Sequence, residues 1–192
     1  MKAQLKKYLF LLLPIFFLGA GPKAQTNYKL ANAELSVSGT SSLHDWTMTS
    51  NSASGSAIFT TDGATLKSIQ NLNVSMKAET LKSGKGGMDD NTYKALKTKK
   101  NPDIKFTLKE VKSIAKKGNN YLVEAVGILS IAGESKTITV QGQASPTDGT
   151  LKITGSKKFK MTDFGVDPPT ALLGTIKTGD DITINFNLTY KI

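Results

Sequence analysis

The sequence predicts an all-β domain of about eight antiparallel strands, on three observations. From Ala33 to the C-terminus apolar and polar residues alternate with period two, which puts one face of each run against a core. The central runs are separated by only a few turn-forming residues, too few for a parallel crossover. No helical pattern of crossover length interrupts them.

The N-terminal 24 residues stand apart. Lys2, Lys6 and Lys7 precede an apolar stretch from Tyr8 to Leu18, broken by Pro14, and then Gly19, Ala20, Gly21 and Ala24. That is the layout of a secretory signal, and the stretch is about half of the ~20 residues a spanning helix needs. We expect residues 1–24 to be a cleaved signal peptide, with a periplasmic or secreted domain over residues 25–192. The rival reading is an uncleaved anchor. A lipid-anchored lipoprotein N-terminus is excluded by the absence of cysteine.

Three strands are expected around Leu35–Val37, Ala57–Phe59 and Leu66–Met76. A connection from Glu79 to Pro102 then carries Met88, Thr92, Tyr93 and Leu96 at helical spacing. Asp89 and Asp90 sit in its first turn and Lys94 and Lys97 toward its end, matching the helix dipole. This predicts one short helix before the fourth strand, stopped at Asn101-Pro102. Ile104, Phe106 and Leu108 alternate with lysine and threonine. Tyr121, Val123, Ala125, Gly127, Leu129 and Ile131 form the next run, followed by Ile138 and Val140, then Leu151 and Ile153. Gly118-Asn119-Asn120, Ala132-Gly133-Glu134 and Pro146-Thr147-Asp148-Gly149 are the turns of a meander. A second long connection, Lys160 to Gly179, holds Pro168-Pro169 and cannot continue a strand. The last run is the cleanest: Ile182, Ile184, Phe186, Leu188 and Tyr190 alternate with polar residues throughout. Periodicity cannot separate a barrel from a sandwich.

Composition narrows the function classes. Of 192 residues 39% are hydrophobic and 21% charged, ordinary for a packed domain. Zero cysteines remove disulfides, thiolate metal sites and cysteine nucleophiles, and a single histidine removes any multi-histidine zinc site. The net charge of +10 falls to +6 without the four lysines of residues 1–24. The lysines are scattered and arginine is absent, so bidentate phosphate and guanine contacts are unavailable. We expect no nucleic-acid partner and weak peripheral contact with anionic membranes. The oligomeric state stays open, a homodimer included.

Each motif with a chemical reading also has a plainer one. His44 adjoins Asp45, but neighbours on a strand point to opposite faces, so a structural hydrogen bond or a polar contact at a cavity mouth is favoured over catalysis. No Gly-x-Ser-x-Gly elbow supplies a nucleophile. Gly84-Lys85-Gly86-Gly87 fails as a phosphate loop, since Glu79 stands where its first glycine belongs and Gly86 where serine or threonine belongs. It reads instead as a lid hinge. Asp89-Asp90 lacks calcium-loop spacing, and Asp163 reads as turn-forming. No metal or cofactor is expected.

Several blocks in order are more specific: Gly39-Thr40-Ser41-Ser42-Leu43-His44-Asp45-Trp46; Met88-Asp89; Ala95-Leu96; Asn101-Pro102-Asp103-Ile104-Lys105-Phe106; Gly127 to Gly133 with Lys136; Met161-Thr162-Asp163-Phe164-Gly165-Val166 with Pro168-Pro169; and Gly174 to Asp180. Together, over about Tyr28 to Ile192, they resemble the YceI-like family. That resemblance implies an eight-stranded lipocalin-like barrel, non-enzymatic, whose apolar tunnel holds an isoprenoid or other long-chain lipid such as a polyprenol or a quinone tail. It turns the apolar alternations, otherwise readable as plain core, into cavity lining at Val74, Phe106, Leu129 and Phe186. Ligand contact is likewise expected at Trp46, Phe59, Met76, Tyr93, Leu96, Leu108, Val123, Ile131, Phe164 and Ile184. The alternative is an exported β-domain with a filled core that acts through a protein partner.

Overall fold

A computed structural model describes residues 25–62 and 65–192. The expected signal peptide lies outside these residues. Ten strands follow in chain order: β1 (Gln25–Ser41), β2 (Trp46–Ser50), β3 (Ser54–Asp62), β4 (Thr65–Lys77), β5 (Asp103–Lys117), β6 (Asn120–Ile131), β7 (Glu134–Thr147), β8 (Thr150–Lys160), β9 (Thr170–Ala171) and β10 (Ile176–Lys191). One helix, α1 (Gly86–Ala95), lies between β4 and β5. Pairing runs β1-β3-β4-β5-β6-β7-β8-β10, and β10 returns to β1, so the sheet closes into an eight-position antiparallel barrel.

Ten strands fill eight positions because β1 is long. Its Leu35–Gly39 half pairs with β2 and its Gln25–Lys29 half with β3, so β2 and β3 lie end to end along one side. The two-residue β9 pairs only with the start of β10. The helix therefore precedes the fifth strand in chain order rather than the fourth. It also starts at Gly86, two residues before the expected Met88. The uncounted strands are β9 and, ahead of the helix, β2, a five-residue run whose alternation (Trp46, Met48, Ser50) ends on a serine and so carries little apolar signal.

β4 and β5 are laddered only between Asn73–Lys77 and Asp103–Thr107. Beyond that the remainder of β4 pairs with β3 alone, and the remainder of β5 with β6 alone. Leu66, Ile69 and Leu72 of β4, with Leu108, Val111 and Ile114 of β5, close this seam by packing into the core. Open strand edges invite pairing with other chains. Here Lys67, Lys109 and Lys112 border the seam, and β5 carries register shifts between Leu108 and Glu110 and between Val111 and Ser113. Both devices blunt an edge.

One end of the barrel is solid. Tyr28, Phe59 and Tyr190 stack edge to face, with ring centroids 4.9 and 5.5 Å apart, over Ala33, Ala57, Ala144 and Leu151. Small residues under large rings let the three aromatics meet inside a narrow barrel, and each such pair adds about 0.5–1.5 kcal/mol beyond burial. Burial pushes the Tyr190 hydroxyl well above its ordinary pKa, so it stays neutral.

Candidate functional site

Above that plug the barrel is hollow. A cavity of about 1140 Å³ runs from the aromatic floor to the opposite end, where α1, the β1–β2 turn and the β9–β10 hairpin surround its opening. Its wall follows from strand register. Val74, Phe106 and Leu129 are successive cross-strand partners on β4, β5 and β6. Leu35, Phe186, Gly155, Gly142 and Val123 make another row, over β1, β10, β8, β7 and β6. Period two sends every second side chain inward, and on these strands those are the apolar ones.

The interior is hollow partly because three rings lie on glycines. The Trp46 indole covers Gly39, and its Nε1 donates to the Thr40 carbonyl at 3.0 Å. The Phe106 ring covers Gly127, and the Phe186 ring covers Gly155. Lacking a Cβ at these positions, each wall lets the ring lie flat rather than reach across the lumen. At Gly155 an added Cβ would sit 2.5 Å from a Phe186 ring atom and 2.6 Å from the Gln141 carbonyl oxygen. Gly155→Ala is therefore expected to cost about 1–3 kcal/mol, as overpacking does, and to drive Phe186 into the cavity. Thermal stability and the uptake of an added apolar probe should fall together; a variant unchanged in both would show that the ring is not held by this contact.

Of the residues expected at the ligand, Trp46, Val74, Met76, Leu96, Phe106, Leu108, Val123, Leu129, Ile131, Phe164, Ile184 and Phe186 line the cavity. Phe59 does not: it is the centre of the aromatic floor, because its β3 position falls beside Tyr28 of β1 and within reach of Tyr190. Tyr93 does not either. Its hydroxyl accepts a hydrogen bond from Lys82 Nζ (2.7 Å) and faces the carbonyls of Glu79 and Leu81 (3.0 and 2.8 Å), tying α1 to the strap that leads into it. Helical spacing placed Tyr93 beside Leu96 without showing which side of the helix meets the barrel. Sequence reasoning missed Leu35, Val37, Met48 and Met88, all of which line the cavity. Met48 sits two residues after Trp46 in a run too short to stand out.

The chemistry-bearing groups play structural parts. His44 and Asp45 lie in the turn between β1 and β2 rather than on a strand. His44 Nδ1 is 2.7 Å from the Asp45 carbonyl, which can only accept, so Nδ1 carries the proton and donates it. His44 also lines the cavity at its exposed end. Asp163 accepts from the Lys160 amide at 3.0 Å, as a turn residue does. Asp180 takes both the amide and the hydroxyl of Thr162, pinning the 3-10 turn Met161–Phe164 that places Phe164 inside.

Asp89 is buried in the first turn of α1 and accepts from the Ser83 amide (2.8 Å) and hydroxyl (2.6 Å). Those bonds hold its carboxyl below the ordinary aspartate range despite burial. Because the folded value is the lower one, the stabilisation is complete above the unfolded value and disappears as pH falls through the folded one. Below roughly pH 4 the Ser83–Asp89 clasp should loosen, and α1 amides should exchange faster than those of β6. Uniform protection of α1 across that range in hydrogen exchange would mean that the clasp does not hold the helix.

The arrangement is thus an apolar tunnel with a closed floor and a helix-bordered opening that carries both polar and apolar side chains. A model of the YceI-like domain matches residues 28–190. The chain belongs to the YceI-like family. Among solved structures, a YceI protein of Campylobacter jejuni is 25% identical, with a TM-score of 0.54 over 71% of this chain and 80% of that one. Burkholderia cenocepacia BcnA is 21% identical, with a TM-score of 0.62 over 82% and 95%. A polyisoprenoid-binding domain from Saccharophagus degradans, implicated in plant cell wall breakdown, has the same fold at 15% identity, with a TM-score of 0.67 over 85% and 97%. None of the curated proteins matches the chain. Within the YceI-like family the barrel fold is thereby shared.

Proposed function

We propose that this YceI-like chain is an exported, non-enzymatic carrier or storage protein that holds the tail of an isoprenoid-type lipid, a polyprenol or quinone, in its barrel. The observation that carries the reading is the cavity itself. At about 1140 Å³ it exceeds the roughly 300–1,000 Å³ of ordinary small-molecule pockets, and apolar side chains from every barrel position line it. Burial supplies the affinity: about 0.8 kcal/mol per CH₂ gives a dozen exposed carbons on the order of 10 kcal/mol before ordering costs. The twelve lining residues named above are the proposed contacts, and the headgroup would sit at the opening near His44, Lys85 and Asn91. The lysine-flanked apolar stretch before Ala24 supports export, and the isoprenoid class is supported by the likeness to the polyisoprenoid-binding domain.

Native mass spectrometry of protein purified from its own host tests both parts at once. We expect the mass of a chain beginning between Gly21 and Thr26, plus an adduct that lipid extraction removes. A chain retaining Met1 would overturn export. A full-length barrel that carries no adduct, and whose Trp46 emission ignores added farnesol, would overturn lipid carriage.

A further inference from the structure

Three leucines stand at the cavity's open end with no cover. Leu43, in the β1–β2 turn, and Leu172 are 66% and 72% exposed, and Leu173 is fully exposed. All three belong to the cavity lining, so the apolar wall continues outward past the rim. Leu172 and Leu173 form the tip of the β9–β10 hairpin. There the Gly174 amide donates to Ala171 and the Thr175 amide to Leu172, and both leucines are held in the left-handed region at φ +48° and +56°. That backbone favours glycine or asparagine and strains leucine. A leucine at this tip therefore gains neither local conformational preference nor burial. Among the described residues nothing offsets both costs, which points to an apolar partner beyond them.

Charge selects the partner. Lys85 and Lys94 of the α1 segment are exposed on the same cavity rim, and Asp90 is the only acid among the lining residues. Without residues 1–24 the chain has 21 basic against 15 acidic residues. An apolar tip beside lysines matches an anionic lipid surface, where the leucines enter the acyl boundary and the ammonium groups meet the headgroups. A bilayer is also the one partner whose interior would be continuous with the cavity. We propose that Leu43, Leu172 and Leu173 insert into an anionic bilayer and seat the barrel opening on it, so that a lipid tail passes between membrane and cavity without crossing water. This rests on the lipid-carrier reading above.

The test is cosedimentation of the purified protein with vesicles of phosphatidylglycerol and phosphatidylcholine in equal parts, against phosphatidylcholine alone. We expect partition at least about tenfold stronger onto the anionic vesicles, weakened by salt. In L172N/L173N, asparagine accepts the left-handed backbone, so melting should be unchanged or higher while partition falls about tenfold. Wild-type protein left in the supernatant, or a double variant that partitions equally, would overturn the proposal. So would a wild-type dimer that the double variant converts to monomer with vesicle partition unaltered, since the leucines would then be a contact between copies. Titration of Trp46 emission with farnesol, without vesicles, separates the two readings. No response there beside intact vesicle partition sinks the carrier and leaves the docking surface standing.

Discussion

Phe59→Ala is expected to destabilise the barrel by about 3–5 kcal/mol, the range for removing a large buried aromatic. Phe59 is 1% exposed and makes edge contacts with both Tyr28 and Tyr190, so its loss leaves a void that two rings of fixed orientation cannot refill. It lies outside the cavity lining. Destabilisation should therefore appear in urea or thermal melts, while folded protein below the transition still carries lipid. Loss of lipid from a variant with wild-type stability would instead place Phe59 at the ligand, as the family resemblance implied.

Leu129→Asp is expected to have the opposite signature: a retained fold and no bound lipid. Leu129 is buried at 7% exposure in a cluster with Ile131, Phe164 and Ile182, and it lines the cavity in the row with Val74 and Phe106. An introduced carboxylate cannot stay ionised against hydrocarbon, and an emptied cavity open at one end can admit water to solvate it. Lipid content by mass spectrometry should fall to background while circular dichroism melting shows a cooperative barrel. An unfolded variant would mean that Leu129 is core. A folded variant with wild-type lipid would remove Leu129 from the site. The pair of substitutions separates plug from lumen, since each is predicted to spare what the other destroys.

The strands were legible because period two is a local property. Ile182 to Tyr190 alternates without a break, and β10 extends through it. The inward positions of the long strands were legible for the same reason, but periodicity alone read as core; it was the family resemblance that implied lining at Val74, Phe106, Leu129 and Phe186, all of which border the cavity. The turn at Gly133 was readable too, from a residue whose backbone preference acts alone, whereas α1 ends at Ala95, with Lys97 in the left-handed region, well before the expected stop at Asn101-Pro102.

What alternation cannot reveal is depth along the barrel. Phe59 and Phe106 are both inward aromatics on amphipathic strands, yet one is floor and the other wall. The difference lies in what stands opposite: Tyr28 and Tyr190 for Phe59, Gly127 for Phe106. Strand register and barrel closure bring those partners together across the sheet, and no window of sequence contains them. Tyr93 shows the same limit for α1, since helical spacing gives a face but not the direction it points. By itself the sequence determined an antiparallel β-domain with one apolar face, a short helix and a basic, cysteine-free chain. Only the tertiary structure decided that the apolar face encloses a hollow. It did so by placing glycines beneath rings on neighbouring strands, where a close-packed core would have formed had side chains stood there instead.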